Sequence, residues 1–190
     1  MRIIGGKFKN KKLNFPKNFK TRPLKDNVKE NIFNILSHSS KIGVSIKNSN
    51  VLDLYAGSGS FGLECLSRDA SNVFFVENNN DALKELKDNI KNLKSEKVSN
   101  CFSLDVLEFV KNFNLKLYKK GFNIIFLDPP YKDKNYIEVI KSIKIKDMLS
   151  KKYILLIHRE MNSENEINKY INILEKRIYG RSEIFFGRFL

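Results

Sequence analysis

Residues 128–131 read Asp-Pro-Pro-Tyr and follow the apolar run Ile125-Phe126-Leu127. Proline holds φ near about −65° and has no N–H, so this loop is stiff and its carbonyls are expected to be free to accept. A carboxylate with an adjacent carbonyl can accept both protons of an exocyclic amine, and the Tyr131 ring can stack on a flat base. Holding both protons out of the ring plane favours the lone pair on nitrogen and aims it at an electrophile. Three more acids sit at or just past the ends of earlier apolar runs: Asp53, Glu77 and Asp105. In an open parallel sheet such ends line one crevice. An acid after the second strand is placed to accept both hydroxyl hydrogens of a ribose, and one after the third to accept from an adenine amino group. Beside Asp53, Gly57-x-Gly59-x-x-Gly62 supplies a turn in which Cβ atoms would strain the backbone or obstruct a ligand. The glycine turn and the acids fit either a dinucleotide dehydrogenase or a transferase with a nucleoside cofactor. A dehydrogenase offers no reason for the Pro-Pro loop.

Positioning these groups takes a repeated strand–helix pattern. The spacing predicts strands over 51–55, 72–77, 98–104, 122–127 and 153–158. Helices are predicted over 60–67, 81–93, 106–113 and 136–143. This alternation predicts an α/β fold, a parallel sheet covered on both faces. In the tail, Ile167, Ile171, Leu174 and Ile178 fit a helix period, whereas Tyr179-Gly180-Arg181 before Ile184 to Phe189 reads as a hairpin. The expectation is a helix or loop and then an antiparallel pair completing seven strands. Residues 2–15 read as one or two short hairpins. Pro16 and Pro23 bound a loop around Thr21-Arg22-Pro23, and Asp26 is expected to N-cap a helix carrying Val28, Ile32, Phe33, Ile35 and Leu36. The expected organisation is a small basic β appendage over 1–20 and one larger domain over 21–190.

The chain has 190 residues and a formal net charge of +14. A surplus of that size points to a polyanionic partner, most simply nucleic acid. The charge is also placed: Arg2, Lys7, Lys9, Lys11, Lys12, Lys17, Lys20, Arg22, Lys25 and Lys29 precede residue 30, against the acid Asp26. No apolar run is long enough to span a bilayer and Met1 to Lys7 lacks the apolar core of a secretory signal, so a cytoplasmic protein without membrane attachment is expected. Cys65 and Cys101 have no metal-ligand spacing around them and read as reduced, mostly buried thiols, with no metal expected. His38 and His158 show no partner in the sequence and read as structural or surface residues, while Arg159 lies where it could touch RNA.

Asp53 to Gly59 resembles the S-adenosylmethionine loop of class I methyltransferases, and Asp128-Pro129-Pro130-Tyr131 resembles the loop of amino-methyltransferases that act on nucleic acids. Met1 to Lys7, Arg22-Pro23, Asp26, Lys29-Glu30 before Phe33-Asn34, and Phe61 to Arg68 after the glycine turn together resemble the RsmD family of bacterial 16S ribosomal RNA guanine-N2 methyltransferases. Two positions depart from that pattern: Leu24 stands where Thr is usual and Lys29 where Arg is usual. The resemblance implies a Rossmann-like class I fold with a mostly parallel seven-stranded sheet and S-adenosylmethionine as cofactor. It implies cofactor contacts from Asp53, Tyr55, Ala56, Gly57, Gly59, Glu77, Asn78, Asp105, Val106 and Asp128. Catalysis would fall to Asp128, Pro129, Pro130 and Tyr131, with Asp128 and the Pro129 carbonyl orienting the amine. Arg2, Lys7, Lys9, Lys11, Lys12 and Arg22 would hold 16S rRNA, free or within a small subunit or assembly intermediate, with the enzyme acting as a monomer. Two other readings stay open: adenine-N6 or cytosine-N4 methylation of DNA or RNA, and a non-catalytic RNA-binding assembly protein.

Overall fold

The computed structural model describes residues 1–16, 24–115 and 120–190. Helix α1 spans Asp26–His38, followed by β1 (Asn50–Leu54), α2 (Ser60–Ser67), β2 (Asn72–Val76), α3 (Asn80–Asn92) and β3 (Ser99–Phe102). Then come α4 (Val106–Lys111), β4 (Phe122–Leu127), α5 (Tyr136–Ile145), β5 (Leu149–Glu160), the single turn α6 (Glu164–Ile167), β6 (Ile171–Tyr179) and β7 (Ser182–Phe189). The strands form one sheet in the order β3-β2-β1-β4-β5-β7-β6. β1 to β5 pair in parallel, β7 runs antiparallel to β5, and β6 antiparallel to β7. The chain direction across the sheet reverses between β1 and β4, which opens a crevice at their carboxyl ends.

The apolar runs are continuous because the central strands are covered on both faces. Val51, Ile124 and Phe126 pack with α1, α2 and α3, while Leu52, Leu54, Ile125 and Leu127 pack with α4, α5 and α6. Strand alternation therefore puts Asp53 on the α2 side, where a carboxylate has the helix N-terminus above it. Phe61 of α2 stacks between Phe33 and Phe126, with centroids 5.3 and 4.3 Å away. Gly62 lets α2 lie close on β2, since a Cβ there would meet Phe75 Cε1 at 2.3 Å and Val73 Cγ1 at 2.7 Å. Both cysteines are free; Cys65 is buried and Cys101 half-buried. Among the described residues no helix is long and apolar enough to cross a membrane, and no group of three or more His, Cys, Asp or Glu could hold a metal ion.

The tail follows the expected order, a single helical turn over Glu164–Ile167 and then the antiparallel pair, with Ile171–Tyr179 its first strand, and two other local expectations are corrected. A spacing of four residues keeps two side chains on one face of either element, so Ile167/Ile171 and Leu174/Ile178 do not discriminate. In the strand, Ile171 and Ile173 pack on one side and Leu174 on the other, helped by a bulge between Ile173 and Glu175. Asp26 is the first residue of α1 and pairs with Arg2 at 3.2 Å; Lys25 occupies the N-cap, with no side-chain cap bond. Residues 2–12 form one antiparallel bridge, Arg2 to Lys12, around a 3-10 turn over Gly6–Phe8 rather than a full hairpin. The expected loop around Thr21-Arg22-Pro23, and with it the RNA contact assigned to Arg22, lies outside the described residues.

The N-terminal segment is held by a buried carboxylate that its own sequence does not reveal. Glu64 of α2 accepts from the backbone N–H groups of Ile4 and Gly5 at 2.8 Å each and from Arg68 Nε at 3.0 Å. Lys29, also fully buried, lies 3.8 Å from Glu64 Oε2 and donates to the Arg2 carbonyl at 2.5 Å. Burial pushes the Lys29 ammonium below its usual range, and Glu64 pulls it back up. Ser67 Oγ accepts from Phe8 N–H and donates to Gly5 O. Ile3 and Leu13 then join the same apolar layer as α1 to α3. Removing one partner of a buried charged network costs about 3–5 kcal/mol because the remaining charges stay desolvated. Glu64→Ala is therefore expected to lower stability by that order in urea unfolding and to expose the Ile4 and Gly5 amides to hydrogen exchange. Unchanged exchange at those amides would contradict the anchoring role.

Candidate active site

The loop after β1 turns through three left-handed residues: Tyr55 (φ 62°), Gly57 (φ 56°) and Gly59 (φ 86°). Glycine costs nothing there, whereas the non-glycine Tyr55 must be held. Its hydroxyl donates to Asp133 Oδ2 at 2.8 Å, tying the glycine loop to the segment after Asp128-Pro129-Pro130-Tyr131. Burial, reinforced by that carboxylate, pushes the Tyr55 phenol well above its usual range. Ala56 N–H donates to Val76 O, and Gly59 N–H to Ala56 O. Among the described residues a Cβ at Gly57 would meet nothing within 4 Å, so the loop presents open space there.

Asp53 lies beneath this loop rather than along it. It is 1% exposed, and Oδ2 accepts from Gly62 N–H in the first turn of α2 at 2.9 Å. Burial holds its carboxyl well above the carboxylate range; the Gly62 bond draws it down, and Asp128 and Glu77 push it up. Glu77, 8% exposed, closes β2 and is already doubly engaged. Oε2 accepts from Gly57 N–H at 2.7 Å and Oε1 from Asn79 N–H at 2.8 Å. A carboxylate oxygen carries two lone pairs, so both oxygens retain acceptor capacity. Asn78 beside it is exposed. Asp105 caps α4, with Oδ1 accepting from Leu107 and Glu108 N–H, while Val106 is buried in the layer beneath.

At the end of β4, Asp128 is partly exposed and faces the end of β5. The parallel register pairs Leu127 with Ile157, so Asp128 comes beside His158. His158 Nδ1 lies 2.8 Å from Asp128 Oδ1. His158, whose partner the sequence did not show, thus meets Asp128. A correction concerns the loop carbonyls, which are not free. Arg159, buried at 6%, donates from Nη1 to Pro130 O at 3.0 Å and Pro129 O at 3.4 Å, and from Nη2 to Tyr131 O at 3.1 Å. Its guanidinium lies 4.1 Å from the Tyr136 ring centroid. Burial and a bond to Glu166 push the Tyr136 phenol up to about 12. Arg159 is therefore committed to the loop and not to a surface contact with RNA. The Tyr131 ring is 42% exposed and meets the His158 ring edge-on, centroids 6.4 Å apart.

Sequence reasoning missed His158, Arg159, Asp133 and Glu64. The signal for the first two lay in their position at the end of the strand beside β4, which register alone turns into contact. Among the expected RNA-binding residues, Arg2, Lys7, Lys9, Lys11 and Lys12 are exposed. Arg2 pairs with Asp26 at 3.2 Å and Lys7 with Asp69 at 3.4 Å.

A seven-stranded sheet with antiparallel β7 inserted between β5 and β6, a glycine turn after β1 and carboxylates at the ends of β1, β2 and β4 define a Rossmann-like class I methyltransferase fold. A family model described as "Conserved hypothetical protein 95" matches residues 1–188. The chain belongs to this RsmD-like family of methyltransferases. The "Ribosomal RNA small subunit methyltransferase D" of Escherichia coli (strain K12) is 32% identical over 165 residues, 86% of this chain and 76% of that protein. The protein of the same name from Buchnera aphidicola subsp. Acyrthosiphon pisum is 30% identical over 183 residues, 96% of this chain and 90% of its own. Among solved structures, yhhF from Escherichia coli matches with a TM-score of 0.83 at 26% identity, covering 100% of this chain and 97% of that one.

Proposed function

We propose that the protein transfers a methyl group from S-adenosylmethionine to the exocyclic N2 amine of a guanine in small-subunit (16S) rRNA. The observation that carries this reading is the pairing of Asp128, at the mouth of the β1/β4 crevice, with a loop whose backbone is fixed by Arg159 and whose Tyr131 ring stands exposed. The kinship with proteins named rRNA small subunit methyltransferase D supports the substrate class.

The residues present fit the cofactor. Glu77 has acceptor capacity left for ribose hydroxyls, and Asp105 has Oδ2 unused among the described residues for an adenine amino group. Gly57 leaves room for close approach, flanked by Tyr55, Ala56, Gly59, Asn78 and Val106. Asp53 supports the loop from below through Gly62. When bound, S-adenosylmethionine supplies a methyl group on a positively charged sulfonium, an electrophile that needs no metal. Asp128 and Glu77 make the crevice favourable to that charge. Asp128 Oδ2 orients the amine, stabilises positive charge developing on its nitrogen and accepts the proton it must lose. Tyr131 stacks on the base. The Pro129 carbonyl, at 3.4 Å from Arg159, keeps a lone pair for the second amine proton. Positioning and electrostatics carry the rate, and the base must leave its stack to reach them.

Gly57→Ala tests the cofactor loop. With nothing among the described residues within 4 Å of the new Cβ, the cost to stability is that of the left-handed backbone, about 1–2 kcal/mol. Affinity for S-adenosylmethionine is expected to fall about tenfold or more by calorimetry, because the methyl occupies the approach to the loop. Unchanged affinity would place the cofactor elsewhere.

Residues 1–20 act in this reading as a basic appendage that holds rRNA phosphates, attached to the domain over 21–190. Lys9, Lys11 and Lys12 are exposed. Reversing all three to Glu is expected to reduce the slope of log K against log salt by about 2–3, since each lost phosphate contact removes most of one released counterion. An unchanged slope would remove the RNA from this face. The protein is proposed to act in the cytoplasm as a monomer.

The experiment that tests the function as a whole uses methyl-labelled S-adenosylmethionine with small subunits or 16S rRNA lacking native methylation, followed by digestion to nucleosides. Label in N2-methylguanosine is expected. Label in N6-methyladenosine or N4-methylcytidine would keep the cofactor and overturn the base. Binding without transfer would leave an RNA-binding assembly protein.

A further inference from the structure

We propose that His158 is a positioning residue for Asp128: an imidazole protonated on Nδ1 that holds Oδ1 so that Oδ2 is the oxygen presented to the acceptor amine. This rests on the reading of Asp128 as the residue that meets the amine.

The backbone of His158 is fixed before its side chain is considered. It lies in β5, paired with Ile184 of β7, with Ile157 in register against Leu127 of β4. A side chain leaving that ladder has a defined origin, whereas Asp128 sits at the start of a loop. The contact of 2.8 Å between Nδ1 and Oδ1 transfers the order of the sheet to the carboxylate. An ionised carboxylate only accepts, so Nδ1 must carry the proton.

The other ring nitrogen sets the tautomer. Among the described residues the buried Nε2 has no hydrogen-bond partner. A proton there alone would be a desolvated donor with nothing to receive it, whereas a proton on Nδ1 meets Asp128 Oδ1. Between the two tautomers the arrangement therefore selects Nδ1–H, which is the minor one of a free imidazole. In this role His158 orients the group that takes the amine proton.

Two neighbours keep the ring in place. Tyr131 stands edge-on at 6.4 Å, so a turn of the imidazole would disturb the ring that is to stack on the base. Arg159, the next residue, holds the carbonyls of the same loop. Successive residues of a strand point to opposite faces, so the loop is gripped by its carboxylate on one side and by its backbone on the other. Supporting contacts of this kind fix a reacting group to within a fraction of an ångström.

The test combines a spectroscopic and a kinetic reading on the full-length protein. Long-range proton–nitrogen spectra of protein labelled with ¹⁵N-histidine report the tautomer, and His38→Gln assigns the two rings. A proton on Nδ1 is expected for His158; the Nε2–H tautomer, with Nδ1 bare, would overturn the proposal. In methyl transfer, His158→Leu is expected to lower kcat about tenfold, with affinity for S-adenosylmethionine unchanged within about twofold. His158→Asn, which restores an N–H donor, recovers part of the loss. In an Asp128→Ala background, His158→Leu should cost less than about twofold, because the carboxylate it orients is gone. Equal losses in both backgrounds would mean that His158 serves only the strand, and the proposal falls. If the wild type labels another base or none, the reading of the acceptor fails; the tautomer still decides for or against the pairing itself.

Discussion

Asp128→Ala is expected to reduce kcat for methyl transfer by ~10²–10³-fold, the order seen when one preorganised electrostatic partner of a transition state is removed. Binding of S-adenosylmethionine should weaken far less than kcat, because Asp128 supplies only part of the charge that favours the sulfonium and the loop after β1, with Glu77 and Asp53, is built without its side chain. The fold should hold as well: the side chain is partly exposed, and its hydrogen bond among the described residues is to His158. Asp128→Asn separates charge from shape. It keeps an acceptor for the amine and removes the negative charge that offsets positive charge on the nitrogen. A loss close to that of alanine would assign the effect to charge, and a loss of about tenfold or less to orientation. Single-turnover rates with labelled cofactor, alongside calorimetric affinity, give both numbers. Full activity in Asp128→Ala would exclude the residue from the chemistry.

The second large effect is expected at Arg159. Its guanidinium donates to three successive loop carbonyls and lies over the Tyr136 ring. Arg159→Met keeps the length and the packing on Tyr136 and removes all three bonds. A loop displaced by about 1 Å can cost on the order of 10²-fold in rate, and a loss of that size in kcat is expected. Arg159→Lys should lie between, since a point charge cannot reproduce the planar fork that spans Pro130 O and Tyr131 O. Thermal unfolding of both variants distinguishes loop disorder from global loss. A fall in melting temperature with kcat intact would show that the clamp stabilises the protein without positioning the loop.

Much of this architecture was legible in one dimension. Parallel strands buried on both faces must be apolar runs, and Val51–Leu54, Val73–Val76 and Phe122–Leu127 are such runs. The positions of Asp53, Glu77, Asp105 and Asp128 at successive strand ends followed from the same alternation. The tail was less legible, because Ile167, Ile171, Leu174 and Ile178 satisfy a helix and a bulged strand alike. The choice there depends on β7, which offers an unpaired edge that the tail itself does not encode.

The sequence by itself determined the elements, the crevice they make and the residue types that line it. Those follow from periodicity, from glycine and proline geometry and from the covalent order of the chain. Tertiary structure alone decided what each polar group faces. Asp53 is a buried support under the loop rather than a wall of the site. Glu64 holds a segment 60 residues away in the chain. His158 and Arg159 grip the loop after β4 because the register of β4 on β5 brings Ile157 beside Leu127. A hydrogen bond between distant residues depends on register and on the rotamers that packing allows, and neither is written in local residue spacing.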